Sequence, residues 1–221
     1  MCKESEELII KKLLKPFTLL LAGLLMAGSM VACGGDADGD SDKLLTPEDV
    51  YKKVDKAEDI KMIMEMEITD MMTTTMTAEK DGDKAYTITE MEMMGMTQTV
   101  EVYTEKKGDT VVTYTKDGNE WIVDESDAED TEDEASLNAF EELFKSENFE
   151  AFDLKSGKYV MKEDVTIEAD SMTLSEAYIK INGNTFEIYA KIGVSEAGMS
   201  MSGFLKIKIE LTDTTVTLPE V

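Results

Sequence analysis

Apolar and polar residues alternate along much of the chain, beginning abruptly at Ile60. Ile60, Met62, Met64, Met66 and Ile68 alternate with Lys61, Glu65, Glu67 and Thr69, Ile63 being the exception. Side chains of a strand point to opposite faces in turn, so this pattern predicts a strand with one apolar face. Similar stretches follow at 73–79, 85–94, 97–105, 110–115 and 120–123, and again at 158–165, 173–181 and 185–192. A late strand carries Leu205, Ile207, Ile209 and Leu211 on one side. Asp81-Gly82-Asp83, Lys107-Gly108-Asp109, Lys116-Asp117-Gly118-Asn119 and Asn182-Gly183-Asn184 separate these segments. Such turns between alternating stretches predict hairpins, hence an antiparallel meander.

Two segments carry the helical period instead. Thr46 precedes Pro47, with Asp49 three residues on. That is an N-cap, a proline at the first helical position and an acid near the positive end of the dipole. The helix should run to about Ala57, with Val50, Val54 and Ala57 on one side. Ser136 caps a second predicted helix to Lys145, with Leu137, Phe140, Leu143 and Phe144 at helical spacing. Between the two halves, 124–134 is nearly all acid and reads as an exposed loop. The expected fold is mainly β, about nine or ten strands with two or three helices. A sheet that long must curl or close on itself. One curled antiparallel sheet with helices against its concave face fits the order of elements. Two stacked sheets would fit too, but leave the helices without a place.

Upstream of Thr46 the chain is of another kind. Lys11, Lys12 and Lys15 precede an apolar run from Phe17 to Met26, and small residues follow. These are the marks of a signal peptide, in a run too short for a comfortable membrane span. Met30-Val31-Ala32-Cys33 then resembles a lipobox, with Met30 where Leu is usual. Cys33 is the expected site of lipidation, after cleavage behind Ala32. Two acyl chains anchor a protein stably where one is marginal. Residues 34–42 alternate Asp with Gly, Ala and Ser and read as a solvated tether. Counted from Asp36 or Asp38, the sixth position is Ser41 or Lys43, not the glycine of a calcium loop. The expected organisation is a signal peptide over 1–32, the lipidated cysteine and tether over 33–45, and a single β domain over 46–221.

Composition narrows the function. The net charge is −26, which opposes nucleic acid and anionic headgroups as partners of the domain. The chain has no His, and every basic residue is Lys. A Ser-His-Asp or Cys-His centre cannot be built, nor can the usual zinc or non-haem iron sites. Carboxylate pairs remain, but Glu65/Glu67 and Glu141-Glu142 fall on predicted solvent faces, so no catalytic residue and no cofactor is expected. Cys2 and Cys33 are the two cysteines, so the domain has neither thiol nor disulfide.

The arrangement is similar to that of the LolA, LolB and LppX-type lipoproteins, closest to a Gram-positive branch of them. The resemblance spans roughly 46–221. It rests on the lipobox and tether, the Thr-Pro-Glu-Asp-Val-Tyr helix start and the Met-rich first strand. The Asp-Gly-Asp-Lys-Ala-Tyr turn, the Gly-Asn-Glu-Trp segment and the final Thr-Leu-Pro-Glu-Val add to it. It implies an unclosed half-barrel wrapped around helices, an apolar cavity able to hold acyl chains, and no enzymatic activity. It also implies anchoring to the outer face of the cytoplasmic membrane.

Fourteen methionines follow Cys33, ten of them between Met62 and Met96. Met62, Met64 and Met66 must share a face of one strand, and Met91-x-Met93 and Met94-x-Met96 form two further pairs. They serve as core filler, as an adaptable lining for a hydrophobic ligand, or as a soft thioether site for Cu(I) or Ag(I). With no His or Cys to support a metal, the ligand lining is the expected site: Met62, Met64, Met66, Met91 and Met93, with Phe140 and Phe144 from the second helix. Trp121, Tyr86, Tyr103, Tyr114, Tyr178 and Tyr189 fit ordinary sheet packing, with a cavity rim or carbohydrate platform as alternatives. A solid-core interaction lipoprotein with a protein partner and no small ligand is the remaining alternative.

Overall fold

The computed structural model describes residues 45–69, 72–93, 95–127, 152–167, 172–196 and 199–220. Residues 1–44, with Cys33, the leader and the tether, lie outside them, as do the second predicted helix at 136–145 and most of the acidic run.

The first element is α1 (Pro47–Asp55). Thr46 Oγ1 accepts from Asp49 N at 3.2 Å, and Thr46 N donates to Asp49 Oδ2 at 2.9 Å. This reciprocal capping box satisfies donors that a helix start leaves open. The helix stops two residues before the expected Ala57. It is the one helix among the described residues, where two or three were expected.

Twelve strands follow: β1 (Asp59–Ile68), β2 (Met72–Asp81), β3 (Lys84–Met93), β4 (Met96–Lys107), β5 (Thr110–Asp117), β6 (Glu120–Asp127), β7 (Phe152–Lys155), β8 (Lys158–Met161), β9 (Val165–Ile167), β10 (Met172–Asn182), β11 (Thr185–Glu196) and β12 (Met199–Glu210). They form one antiparallel, unclosed sheet in the order β6-β5-β4-β3-β2-β1-β12-β11-β10-β8-β7, with β9 also against β10. The chain walks outward from β1 to β6, then inward from β7 to β12. The first and last strands therefore meet at the middle, Met62 opposite Ile209 and Met64 opposite Ile207.

Three expectations are corrected. Asp124 to Asp127 belong to strand β6 and not to a loop, because an edge strand tolerates acid on both faces and is protected by it. The strand expected at 158–165 is broken at Lys162-Glu163-Asp164 into β8 and β9. Strand β7 was not expected; it joins β8 through Ser156 and Gly157, both with positive φ.

Residues directly opposite on neighbouring strands share a face. The face bearing Met62 is here called inner. Its central cluster joins Ile60, Met62, Met64, Met76, Phe186, Ile188, Ile207 and Ile209 to Val50 of α1. Phe186 and Met76 are fully buried, each contributing about 1.5–3 kcal/mol over an exposed side chain. In β10 a bulge lies between Ser175 and Tyr178, with Glu176 at φ 49°. It shifts the inward parity from Leu174 to Ala177 and Ile179, so all three are buried. On the inner face Lys80 is buried and its Nζ donates to Ala57 O at 3.0 Å. A cation beside the C-terminal end of α1 suits the helix dipole.

Candidate functional site

The register places the five expected methionines of the described residues on one face. Met64 lies opposite Met76, Met66 opposite Thr74, Thr74 opposite Met91, and Met72 opposite Met93. Met62, Met64 and Met91 are buried; Met66 and Met93 are partly so. They do not form one cluster. Met62, Met64 and Met66 belong to the central cluster around Phe186. Met91 packs with Val100 and Val102 in a second one, against Met72, Met93 and Met96. Phe140 and Phe144 lie outside the described residues.

The two wings of the inner face differ in chemistry. On β10–β12 it is mostly Leu174, Ile179, Phe186, Ile188, Ile192, Ile207 and Ile209, branched or aromatic groups that fill space closely, with Ala177 and Ala190 between them. On β2–β4 it is mixed: Ala78 and Ala85, the methionines, threonines, Val100 and Val102, and Lys80. Thr74, Thr87 and Thr89 are fully buried and Thr104 is 3 % exposed. None of their four hydroxyls has a hydrogen-bond partner. Each such burial costs about 1–3 kcal/mol.

These threonines were missed by sequence reasoning. In Thr73-Thr74-Thr75-Met76-Thr77, polar residues occupy both faces, so hydrophobicity does not mark the inner one. Only the pairing of Thr74 with Met66 and Met91 does. Met72, also missed, stands in one cross-strand row with Met93 and Met96 at the β3–β4 turn.

The opposite, outer face is charged and aromatic. Glu65 pairs with Lys206 at 3.1 Å across strands, and Lys61 with Glu79 at 2.7 Å. Tyr86 and Tyr103 have ring centroids 4.6 Å apart, and Trp121 stands edge-on to Tyr103 at 5.4 Å. On the other wing Tyr178 and Tyr189 stack at 5.2 Å, and Tyr189 and Phe204 at 6.4 Å. These aromatics are cross-strand packing. Burial first, then the Glu101 carboxylate, pushes the Tyr86 hydroxyl up to about 12. Tyr103 is raised for the same two reasons, in the same order.

A cavity of about 10 Å³ remains at the β10 bulge, lined by Phe152, Ala177, Ile179, Ile188 and Ala190 with the two tyrosines. That is room for one water at most. Among the described residues no group of three or more Asp, Glu, His or Cys could hold a metal ion, and no helix is long and apolar enough to cross a membrane.

No family model matches the chain, and no curated protein does. Among solved structures it is similar to an S-type phycobiliprotein lyase CPES from Guillardia theta. That match has 5% identity, covers 77% of this chain and 95% of that one, and has a TM-score of 0.34. So low a score carries no argument about fold or function.

Proposed function

We propose that this protein is an extracytoplasmic lipoprotein, anchored by lipid on Cys33, that holds a lipid or other hydrophobic molecule without reacting with it. In this reading the sheet is a half-barrel curled around α1, and its inner face is the binding surface. One observation supports it above the rest: the inner face is not uniform. On β10–β12 it is Ile, Leu and Phe with Ala177 and Ala190 between them, rigid groups that fill space closely. The wing over β2–β4 has as many buried alanines and also Val100 and Val102, but adds Met76, Met91 and a run of threonines, and methionine re-packs around varied shapes. The basic flank, short apolar run and Met30-Val31-Ala32-Cys33 support export and anchoring.

The Met72, Met93 and Met96 row favours a second reading, a thioether site for Cu(I) or Ag(I). One experiment tests both: native mass spectrometry of the full chain, expressed with its leader, extracted from membranes and released from non-ionic detergent. The expected spectrum has a chain beginning at a diacylglyceryl-modified Cys33, with lipid adducts that vanish on denaturation. A bare chain, even after incubation with a membrane lipid extract, would overturn ligand holding. An Ag(I) adduct lost in Met72→Leu/Met93→Leu would move the assignment to the metal.

A further inference from the structure

The four unpartnered hydroxyls are contiguous. Thr87 and Thr89 lie two apart on β3. Thr104 of β4 is opposite Ala85, and so diagonal to Thr87; Thr74 of β2 is opposite Met91, and so diagonal to Thr89. The result is an oblique, buried polar stripe across three strands, bordered by Met76, Met91, Val100 and Val102 at one side and by Lys80 and Thr113 at the Thr104 end. Ala78 lies opposite Thr87 and Ala85 opposite Thr104, so side-chain volume is low beside it. Met76 and Met91 border its other end.

As a purely structural arrangement the stripe is unfavourable. Valine has the shape of threonine and no hydroxyl to leave unsatisfied, and Val100 and Val102 occupy adjacent inward positions of β4. A shared need for hydroxyls explains why four neighbouring sites lack valine. We propose that the stripe receives the polar group of an uncharged amphiphile, an ester, amide or alcohol on a long apolar chain. The chain would lie along Met64, Met76 and Met91. This rests on the hydrophobic-ligand reading and names the class of ligand.

The chemistry selects against charge. A hydroxyl both donates and accepts, and so suits a neutral carbonyl or alcohol. A carboxylate or phosphate would carry a full charge into an apolar setting. Lys80, opposite Ala85 and so diagonal to Thr87, is a buried cation beside the stripe, but its Nζ donates to Ala57 O at the helix end; a stearate preferred over the ester would assign the head group to this lysine instead. The −26 net charge repels anions further.

The test uses the full chain in amphipol and three probes of one chain length: methyl stearate, stearate and 1-octadecene. Bound fractions are read by native mass spectrometry in competition. Methyl stearate should be retained about tenfold over octadecene, the effect of one or two neutral hydrogen bonds in a dry site. Thr87→Val/Thr89→Val should erase that preference, and Thr87→Ser/Thr89→Ser should restore it. The valine variant should also unfold at the same or a higher temperature, because the empty hydroxyls are gone. Equal retention of ester and hydrocarbon, or a valine variant with preference intact, overturns the stripe while the hydrophobic groove stands. Preference for stearate overturns the uncharged class. Retention of no probe removes the groove and the stripe together.

Discussion

Gly203 has no side chain because β1 leaves no room for one. It lies opposite Ile68, and a Cβ there would overlap the Glu67 carbonyl oxygen and crowd Ile68 Cα. Its φ is not in the left-handed region, so close approach and not backbone freedom demands glycine. Next to it Thr69 N donates to Ser202 O at 2.9 Å, which holds the strands together. Gly203→Ala should push β12 away from β1 and lower stability by about 2–4 kcal/mol in urea unfolding. A loss below about 1 kcal/mol would show that the strands separate easily. At this scale the sequence reveals a residue's face when hydrophobicity marks it, as at Met62, Met64 and Met66. Neither Gly203 nor the threonine stripe was legible. The reason for each lies on a neighbouring strand, and nothing in the local sequence names the neighbour.

Among elements, α1 shows how little a short helix owes to itself. Nine residues are too few to be stable in isolation. The capping box at Thr46, Val50 in the central cluster and Lys80 at its far end hold it. Thr46→Ala should therefore lower stability by about 1 kcal/mol, read as a fall in thermal midpoint. Lys52→Ala breaks only the exposed pair with Glu48 and should leave the midpoint unchanged. Equal falls in the two variants would contradict this account. Element starts and hairpins were legible because Thr-Pro and Asp-Gly have local conformational meaning. Lengths were less so, since pairing carries β6 through Asp124 to Asp127 against β5, where Thr113 lies opposite Asp124. The β10 bulge left a readable trace: the apolar parity slips between Leu174 and Ala177, a two-residue period with one residue inserted. Strand β7 left almost none, four residues with both faces half open.

Across the whole molecule, alternation predicts strands but not their order. Neighbours in sequence became neighbours in space through the hairpins. The meeting of β1 with β12 had no local signal, yet it joins the two wings and the two kinds of inner face. The outer face was legible as charged, and its charges and rings together make a prediction for alkaline solution. Lys61 and Lys191 are raised above their ordinary value first by hydrogen bonds to Glu79 and Glu176. That stabilisation is complete below about pH 10.5 and fades as pH passes the folded-state value. Tyr86 in the unfolded chain ionises near pH 10, and in the fold at about 12. Between those values the unfolded chain sheds a proton that the fold retains, so stability falls as pH rises. Neutralising lysines also deepens a charge already at −26, adding self-repulsion. All these effects have one sign, so the thermal midpoint should fall steadily from pH 10 to 12. Tyr86→Phe keeps the ring against Tyr103 but removes the ionisable hydroxyl. Its midpoint should fall less steeply over the same interval, measured by circular dichroism melts at fixed ionic strength. Parallel curves for the two proteins would show that Tyr86 ionises as freely in the fold as in the unfolded chain, and that the alkaline loss comes from the lysines and the net charge.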